Sequence, residues 1–328
     1  MQSQDYGPAT WSIGQRIGVD QVTVDREFDA GRILRTHVLR PTWHFVHPDD
    51  IRWLLALSRD RVHKTNGFMY RQEGLDESTR DRSEQVFAET LRGGKHLTRT
   101  DLAAALRAEG IVAERFRLAY LLMSAELNGL ICSGARRGRE HTYALLEERV
   151  TAQPVVSRDE ALARLTLRYF ASHGPATAKD FGWWSSLTQT EIKHGLELAG
   201  SALAQEEHDG VVFWSGIEPI EKPNRTPQVD LLQGYDEYIV GYSQSKGLLD
   251  LAARAKSESA SRVRFNGAVL LDGQVAGHWK QTSRAKSAHF EIAFYEPLDE
   301  REAAALDDAV RNYGRFLALP ATARVWVL

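Results

Sequence analysis

Apolar residues recur along this chain at two spacings, and the changes between them lay out its elements. A helical spacing from Pro8 to about residue 17 turns Trp11 inward, and a second over 22–30 is closed by Gly31. Two strand-like runs follow, 32–38 and 42–46, parted at Pro41. Pro48 then stands at a helical first turn, and Ile51, Leu54, Leu55 and Leu57 share the apolar side of a helix over 48–64. A polar amphipathic helix is predicted over 76–92 and another over 158–172. From residue 217 the texture changes. Pro219, Pro223 and Pro227 mark an extended crossing, and short apolar runs at 268–271, 275–279 and 289–295 read as antiparallel strands. The Asp272-Gly273 pair between the first two favours a tight hairpin. An amphipathic helix over 299–317 and a strand over 324–328 close the chain.

One polar signal occurs twice. Thr98 stands three residues before Asp101, and Thr177 three before Asp180, each Asp followed by an apolar side chain. A threonine hydroxyl can cap the free amides of a first helical turn, and a carboxylate suits the positive end of the helix dipole. After each comes a helix (114–128, then 188–199), a short apolar run, a polar turn and a second run (130–132 with 142–145; 202–204 with 211–214). Helix, turn, helix and hairpin is the winged-helix plan, used mostly on nucleic acid. The two copies stand too far apart for a solenoid, whose repeats are roughly 20–50 residues. The expected fold is therefore α+β: tandem winged-helix units and then a small C-terminal sheet or partial barrel. The expected divisions are 1–92, a partial winged-helix unit with a linker helix; 93–153 and 154–216, two winged-helix modules; and 217–328, an α+β domain.

Charge narrows the function classes. The formal net charge is −3, so the protein is not dominated by a basic surface. Its cations are nevertheless clustered. Seven basic residues lie between Arg254 and Lys286 against two acidic ones, Arg136, Arg137 and Arg139 crowd the turn of the first wing, and Arg32, Arg35 and Arg40 share one run. The single Cys132 excludes an intrachain disulfide and a cysteine-based zinc site, and fits a reducing cytoplasm. No apolar run reaches the roughly 20 residues that cross a membrane. Three histidines, His37, His44 and His47, are enough by count for a metal, but Pro41 parts the first two and no carboxylate stands at ligand spacing, so no metal is expected. Thr42 and His44, two apart on a strand, can line one cleft. Asp236, Glu237 and Tyr238 read as a buried junction, with Asp236 bonded to backbone amides, or else as acid–base groups. Trp183 and Trp184 read as core rather than a stacking platform.

Four runs taken together carry a resemblance: Gln2-Ser-Gln-Asp-Tyr6, Arg40-Pro-Thr-Trp-His-Phe-Val46, His173-Gly-Pro-Ala-Thr-Ala-Lys-Asp-Phe181 and Tyr235-Asp-Glu-Tyr238. In this order, over essentially the whole chain, the sequence resembles the bacterial winged-helix DNA glycosylases typified by AlkZ and YcaQ. The resemblance implies tandem winged-helix units with a C-terminal β-domain, excision of N7-alkylated purines including crosslinked ones, and a catalytic Gln-x-Gln or Gln-x-Asp motif. Gln2 and Gln4 match the first form, with Asp5, Thr42 and His44 as supporting cleft residues. An N7-alkylated guanine is already cationic and leaves without a general acid, so neutral amides suffice to hold water at the anomeric carbon and face the developing charge. The family usually has a further helical segment upstream of the motif. If that helix has been lost rather than left out by a late start, the motif is expected to fray.

DNA contacts are expected from Arg35, Arg40, Arg136, Arg137, Arg262, Arg264, Lys280, Arg284 and Lys286, with duplex DNA, alkylated, as the partner. No cofactor is expected; the protein is expected to be a monomer at the nucleoid. A non-catalytic winged-helix regulator is the alternative reading. It predicts a symmetric dimer, whereas the helices at 114–128 and 188–199 offer few side chains that read bases. A decayed relative that only shields lesions also stays open.

Overall fold

A computed structural model describes residues 1–218, 226–249, 267–284 and 286–328, the side chains of Ser283 and Arg284 excepted. Among them, in chain order, are α1 (Tyr6–Ile17), α2 (Gln21–Asp29), β1 (Leu34–His37), β2 (Trp43–Val46), α3 (Pro48–Gln72), α4 (Glu77–Leu91), β3 (Leu97–Thr98), α5 (Arg99–Ala108) and α6 (Arg115–Leu127). Next come β4 (Ile131–Ser133), β5 (Thr142–Leu145), α7 (Leu146–Arg149), α8 (Arg158–His173), α9 (Ala178–Ser185), α10 (Gln189–Ala199), β6 (Leu203–His208) and β7 (Val211–Gly216). The last are β8 (Val229–Leu232), α11 (Glu237–Val240), β9 (Gly267–Leu271), β10 (Gln274–Arg284), β11 (Ser287–Phe294), α12 (Glu300–Leu317) and β12 (Ala321–Val327). No described helix is long and apolar enough to cross a membrane. The residues fall into two compact units interleaved in sequence. One comprises Met1–Gln2, Arg26–Tyr169 and Phe181–Ala202, the other Ser3–Asp25, Phe170–Asp180 and Leu203–Leu328.

In the first unit α5 begins with a reciprocal cap: the Asp101 amide donates to Thr98 Oγ1 (3.2 Å) and the Thr98 amide to Asp101 Oδ2 (2.9 Å). The chain turns into α6 and then into the β4–β5 hairpin, with β3 paired to β5 in the sheet order β3-β5-β4. This is consistent with the winged-helix plan. Phe87 and Leu91 of α4, Leu102 and Leu106 of α5, Leu121 of α6 and Ile131 of β4 are fully buried in one cluster. At about 1.5–3 kcal/mol per large apolar side chain, such clusters hold the module together. Helix α3 runs eight residues past its expected end at 64. The polar stretch after Leu57 hides the continuation: Asn66 is buried and donates to the Met123 sulfur (3.0 Å), and Tyr70 joins the core. Helix α10 carries its own capping box, Thr188 with Glu191.

The second unit is built on a five-stranded sheet in the order β12-β11-β10-β9-β8. Asp272 and Gly273 both take positive φ (49° and 79°), the hairpin turn their identities favour. Strand β12 runs parallel to β11, because α12 carries the chain back across the sheet between them. Helix α1 packs on α12: Trp11 lies 4.2 Å from the Tyr313 ring and 5.2 Å from Phe316, and its Nε1 donates to the Leu231 carbonyl (2.6 Å). A Cβ at position 14 would sit 2.5 Å from the Phe316 ring, so Gly14 sets how closely the helices approach.

Candidate active site

The N-terminal residues are strand partners, not a frayed end. The Met1 nitrogen donates to the Phe45 carbonyl (3.1 Å), the Phe45 amide donates back to Met1 O (2.8 Å), and Gln2 forms an antiparallel bridge with His44. Residues 1–2 thereby add an edge to the β1–β2 ribbon, in which His44 pairs with Thr36. Side chains directly opposed across antiparallel strands share a face. Gln2, His44 and Thr36 therefore form one row, with Thr42 on the same face two residues along β2. All but Thr42, which is half-buried, are buried; Gln2 is 4% exposed.

Two features make this row chemically notable. His44 Nδ1 donates to the Thr42 carbonyl (2.9 Å), so in the neutral ring Nε2 is an acceptor. The Thr36 and Thr42 hydroxyls are buried and have no hydrogen-bond partner among the described residues, and buried polar groups of that kind are rare in stable cores. An amide, an imidazole acceptor and two hydroxyls can together hold water or a sugar oxygen.

The opposite face of the ribbon is structural, and its key member was not legible. Arg35 and His37 point there with Trp43: Arg35 Cζ lies 4.3 Å from the Trp43 ring centroid, and the His37 ring 4.0 Å from it. His37 Nδ1 meets Glu126 Oε2 at 2.5 Å. Glu126 is fully buried in α6, and burial pushes its carboxyl above the ordinary range, opposed by His37 and Arg35. The one hint in the sequence is an acid inside the apolar run 118–127. Arg35, expected at DNA, is 8% exposed and belongs to this core.

The other expected DNA contacts divide. Arg136 is held bidentately by Asp29 (3.0 and 2.8 Å), a partner hidden at 107 residues' separation, and is mostly covered instead of facing solvent. Arg137 reaches Asp101 Oδ2 (3.1 Å) and stays half exposed. Arg40 lies between β1 and β2 with its Cζ 5.9 Å from the Trp183 ring centroid. In the second unit, Lys280 pairs with Glu291 across β10 and β11 (2.8 Å), and Lys286 is exposed in the following turn. Arg262 and Arg264 lie outside the described residues, as does the side chain of Arg284. Gln4 and Asp5 are both exposed in a bend before α1, whereas Gln2 is buried.

The tryptophan pair splits as well. Trp184 packs on Tyr169 (5.1 Å) and Phe181 (6.5 Å), whereas Trp183, expected in the core, is 55% exposed on the outer side of α9. Asp236 is fully buried and does bond a backbone amide, that of Tyr238 (3.0 Å). It also takes Ser12 Oγ (2.6 Å) and a two-point contact from Arg16 (2.6 and 2.9 Å), fastening α1 to α11.

Residues 1–316 match the family model of the AlkZ-like DNA glycosylases. The chain belongs to that family. It is thus a DNA glycosylase of the AlkZ-like kind, and its substrate is DNA. No curated protein matches it. Among solved structures, a DNA glycosylase AlkZ of Streptomyces sahachiroi superposes with a TM-score of 0.80 at 21% identity, over 99% of this chain and 91% of the other. That likeness shows the α+β fold. In this AlkZ-like chain the Gln-x-Gln motif begins on the polar row of the ribbon.

Proposed function

We propose that this AlkZ-like glycosylase hydrolyses the N-glycosidic bond of N7-alkylated purines in duplex DNA, bulky adducts and interstrand crosslinks among them, and that Gln2 and Gln4 carry the reaction. The observation behind this reading is the anchoring of Gln2 opposite His44, beside two buried threonine hydroxyls. Cleavage develops positive charge on the deoxyribose, as in other glycosyl transfers. An N7-alkylated purine is a cationic leaving group that needs no proton, so the site requires only dipoles and a positioned water. Gln4 holds that water at the anomeric carbon and turns its carbonyl towards the developing charge. Gln2 orients the water or the adjoining phosphodiester, its backbone held in the bridge to His44. Amides discriminate by weakness: they stabilise an oxocarbenium ion less than a carboxylate would, so uncharged purines stay in place. The enzyme acts as a monomer in the cytoplasm and leaves the strand unbroken at the abasic site.

No general acid titrates in this scheme. The single-turnover rate on an N7-methylguanine duplex should vary by less than about threefold from pH 6.5 to 9, where an essential acid would impose roughly tenfold per pH unit. Gln4→Ala should lower release of the base by at least about a hundredfold, the scale of removing one preorganised dipole. A Gln4→Ala protein that releases base at the wild-type rate would contradict the assignment.

A further inference from the structure

We infer that the turn Arg92-Gly93-Gly94-Lys95, between α4 and β3, is a site for a backbone phosphate of duplex DNA, occupied in the free protein by the carboxylate of Glu148. The inference rests on the chain's acting on DNA and not on which base it excises or by what chemistry. None of these residues belongs to the Gln-x-Gln motif or to the β1–β2 ribbon.

Two successive backbone amides of the turn converge on one anion. The Gly93 amide donates to Glu148 Oε1 (3.0 Å) and the Gly94 amide to Glu148 Oε2 (2.5 Å). Both glycines take left-handed φ, 85° and 71°, a backbone that other residues adopt only at a cost. Successive amides gathered in a turn form a concavity for anions, phosphate as readily as carboxylate. A carboxylate and a phosphodiester each present two oxygens that share one negative charge, so what the turn grips in Glu148 it can grip in DNA. The two amide bonds hold the Glu148 carboxyl below its ordinary range, and the occupant is therefore an anion at neutral pH.

The occupant can leave without unmaking its own helix. Helix α7 is anchored by its other side chains: Leu146 is buried, and Arg149 donates to the carbonyls of Ser133 (3.2 Å), Phe28 (3.0 Å) and Asp29 (2.9 Å). Glu148 itself is exposed, as are all four residues of the turn. Apart from chain neighbours, no atom of the described residues lies within 4 Å of where a Cβ would stand on either glycine, so the turn is open to a larger anion.

Its surroundings select DNA. Arg92 and Lys95 flank the glycines, and the next residue, His96, meets the first wing: the Ala135 amide donates to His96 Nδ1 (2.9 Å) and Arg137 Nη2 to the His96 carbonyl (3.3 Å). Arg137 and Arg139 are exposed in that wing. The turn thus lies against the cationic tip of a module whose plan serves nucleic acid. Displacing Glu148 costs two hydrogen bonds to a charged group. A lone phosphate ion meets that cost unaided, whereas a duplex also held by the wing presents its phosphate at high effective concentration. Contact through backbone amides carries no base preference, which suits an enzyme that must work wherever damage falls.

The test follows the backbone amide signals of isotopically labelled full-length protein. Undamaged duplex should shift those of Gly93 and Gly94, whereas inorganic phosphate at matched ionic strength should not. In a Glu148→Ala protein inorganic phosphate alone should shift them. Glu148→Ala should also bind undamaged duplex at least about fivefold more tightly, against less than about twofold for Glu147→Ala, the same change of charge one residue away. Lys95→Ala should flatten the slope of log affinity against log salt by about 0.9. Gly93 and Gly94 signals that ignore the duplex in wild type overturn the inference, a reading that needs no variant to fold. So does inorganic phosphate that moves them in wild type as far as duplex does, or a Glu148→Ala protein with wild-type melting that binds no tighter than Glu147→Ala. These readouts need no base release. Failure of the wild-type protein to release N7-methylguanine counts against the catalytic reading alone.

Discussion

At the scale of single residues, the proposed reaction gives Gln2 and Gln4 different work, so they should respond differently to change. The family's motif has two forms, and the second places an aspartate where this chain has Gln4. Gln4→Asp should therefore retain release of N7-methylguanine and raise spontaneous loss of unmodified purines, as an anionic side chain stabilises any oxocarbenium ion. Chromatography of bases released from damaged and undamaged duplexes would show both. The pair His37–Glu126 makes a separate prediction. Removing one partner of a buried polar pair leaves the other uncompensated, so Glu126→Ala should cost about 3 kcal/mol in chemical denaturation. Because burial raises the Glu126 pKa, the folded chain holds this proton more tightly than the unfolded chain. The associated stability is complete below about pH 4.5 and falls as pH rises through the folded value, a slope that Glu126→Gln should remove. That Thr42 and His44 share one side of a strand could be read from alternation; Gln2 came in only through the resemblance. Glu126 could not be read this way, because helical periodicity marks a face and says nothing about an acid whose partner is 89 residues away. Trp183 was misplaced for a related reason: adjacent aromatics on a helix point in different directions, and only one of them can face the core.

At the scale of elements, the doubled Thr-x-x-Asp signal marked two helix starts correctly but hid a difference between them. Asp101 caps its own helix. Asp180 accepts from Thr177 and also from the amides of Ser243 (2.7 Å), Gln244 (2.7 Å) and Ser245 (3.1 Å), tying a second segment to α9's start. Burial works against ionising Asp180, yet the hydrogen bonds from Ser245, Thr177 and Ser243 prevail and hold its carboxyl below the ordinary range. The stabilisation is present above about pH 4 and is lost as pH falls through the depressed value. Asp180→Ala should speed hydrogen exchange of the three amides at 243–245 by at least about tenfold and cost about 2 kcal/mol. A local motif shows the cap; the distant loop it captures is set by tertiary contact alone. The same holds for β12, whose apolar pattern announces a strand but not its parallel pairing, which follows from the length and course of α12.

At the scale of the molecule, two cations that the sequence offers to DNA are taken up by the fold instead. Arg35 is in the core and Arg136 is clasped by Asp29. Neutralising a phosphate contact shifts the slope of log affinity against log salt by about 0.9. Arg136→Ala should leave that slope unchanged and instead lower thermal stability, whereas Lys286→Ala should flatten the slope. Titration of undamaged duplex at several salt concentrations separates the two roles. The overall order of helices, hairpins and terminal sheet was legible because each element carries its own period and caps. The division into two units was not: each is assembled from three separate stretches of the chain, and no shift in composition marks the joins.

The central claim is that two neutral amides, with Gln2 held opposite His44, release a cationic purine from DNA. Duplex DNA methylated at guanine N7 can be incubated with the protein, carried on any upstream segment its gene encodes, and the supernatant resolved by chromatography. The account predicts free N7-methylguanine in proportion to enzyme, intact strands until heated in alkali, and no release from a Gln2→Ala, Gln4→Ala protein that still folds and binds. Absence of free base from the wild-type protein, or equal release from the doubly substituted one, would contradict it.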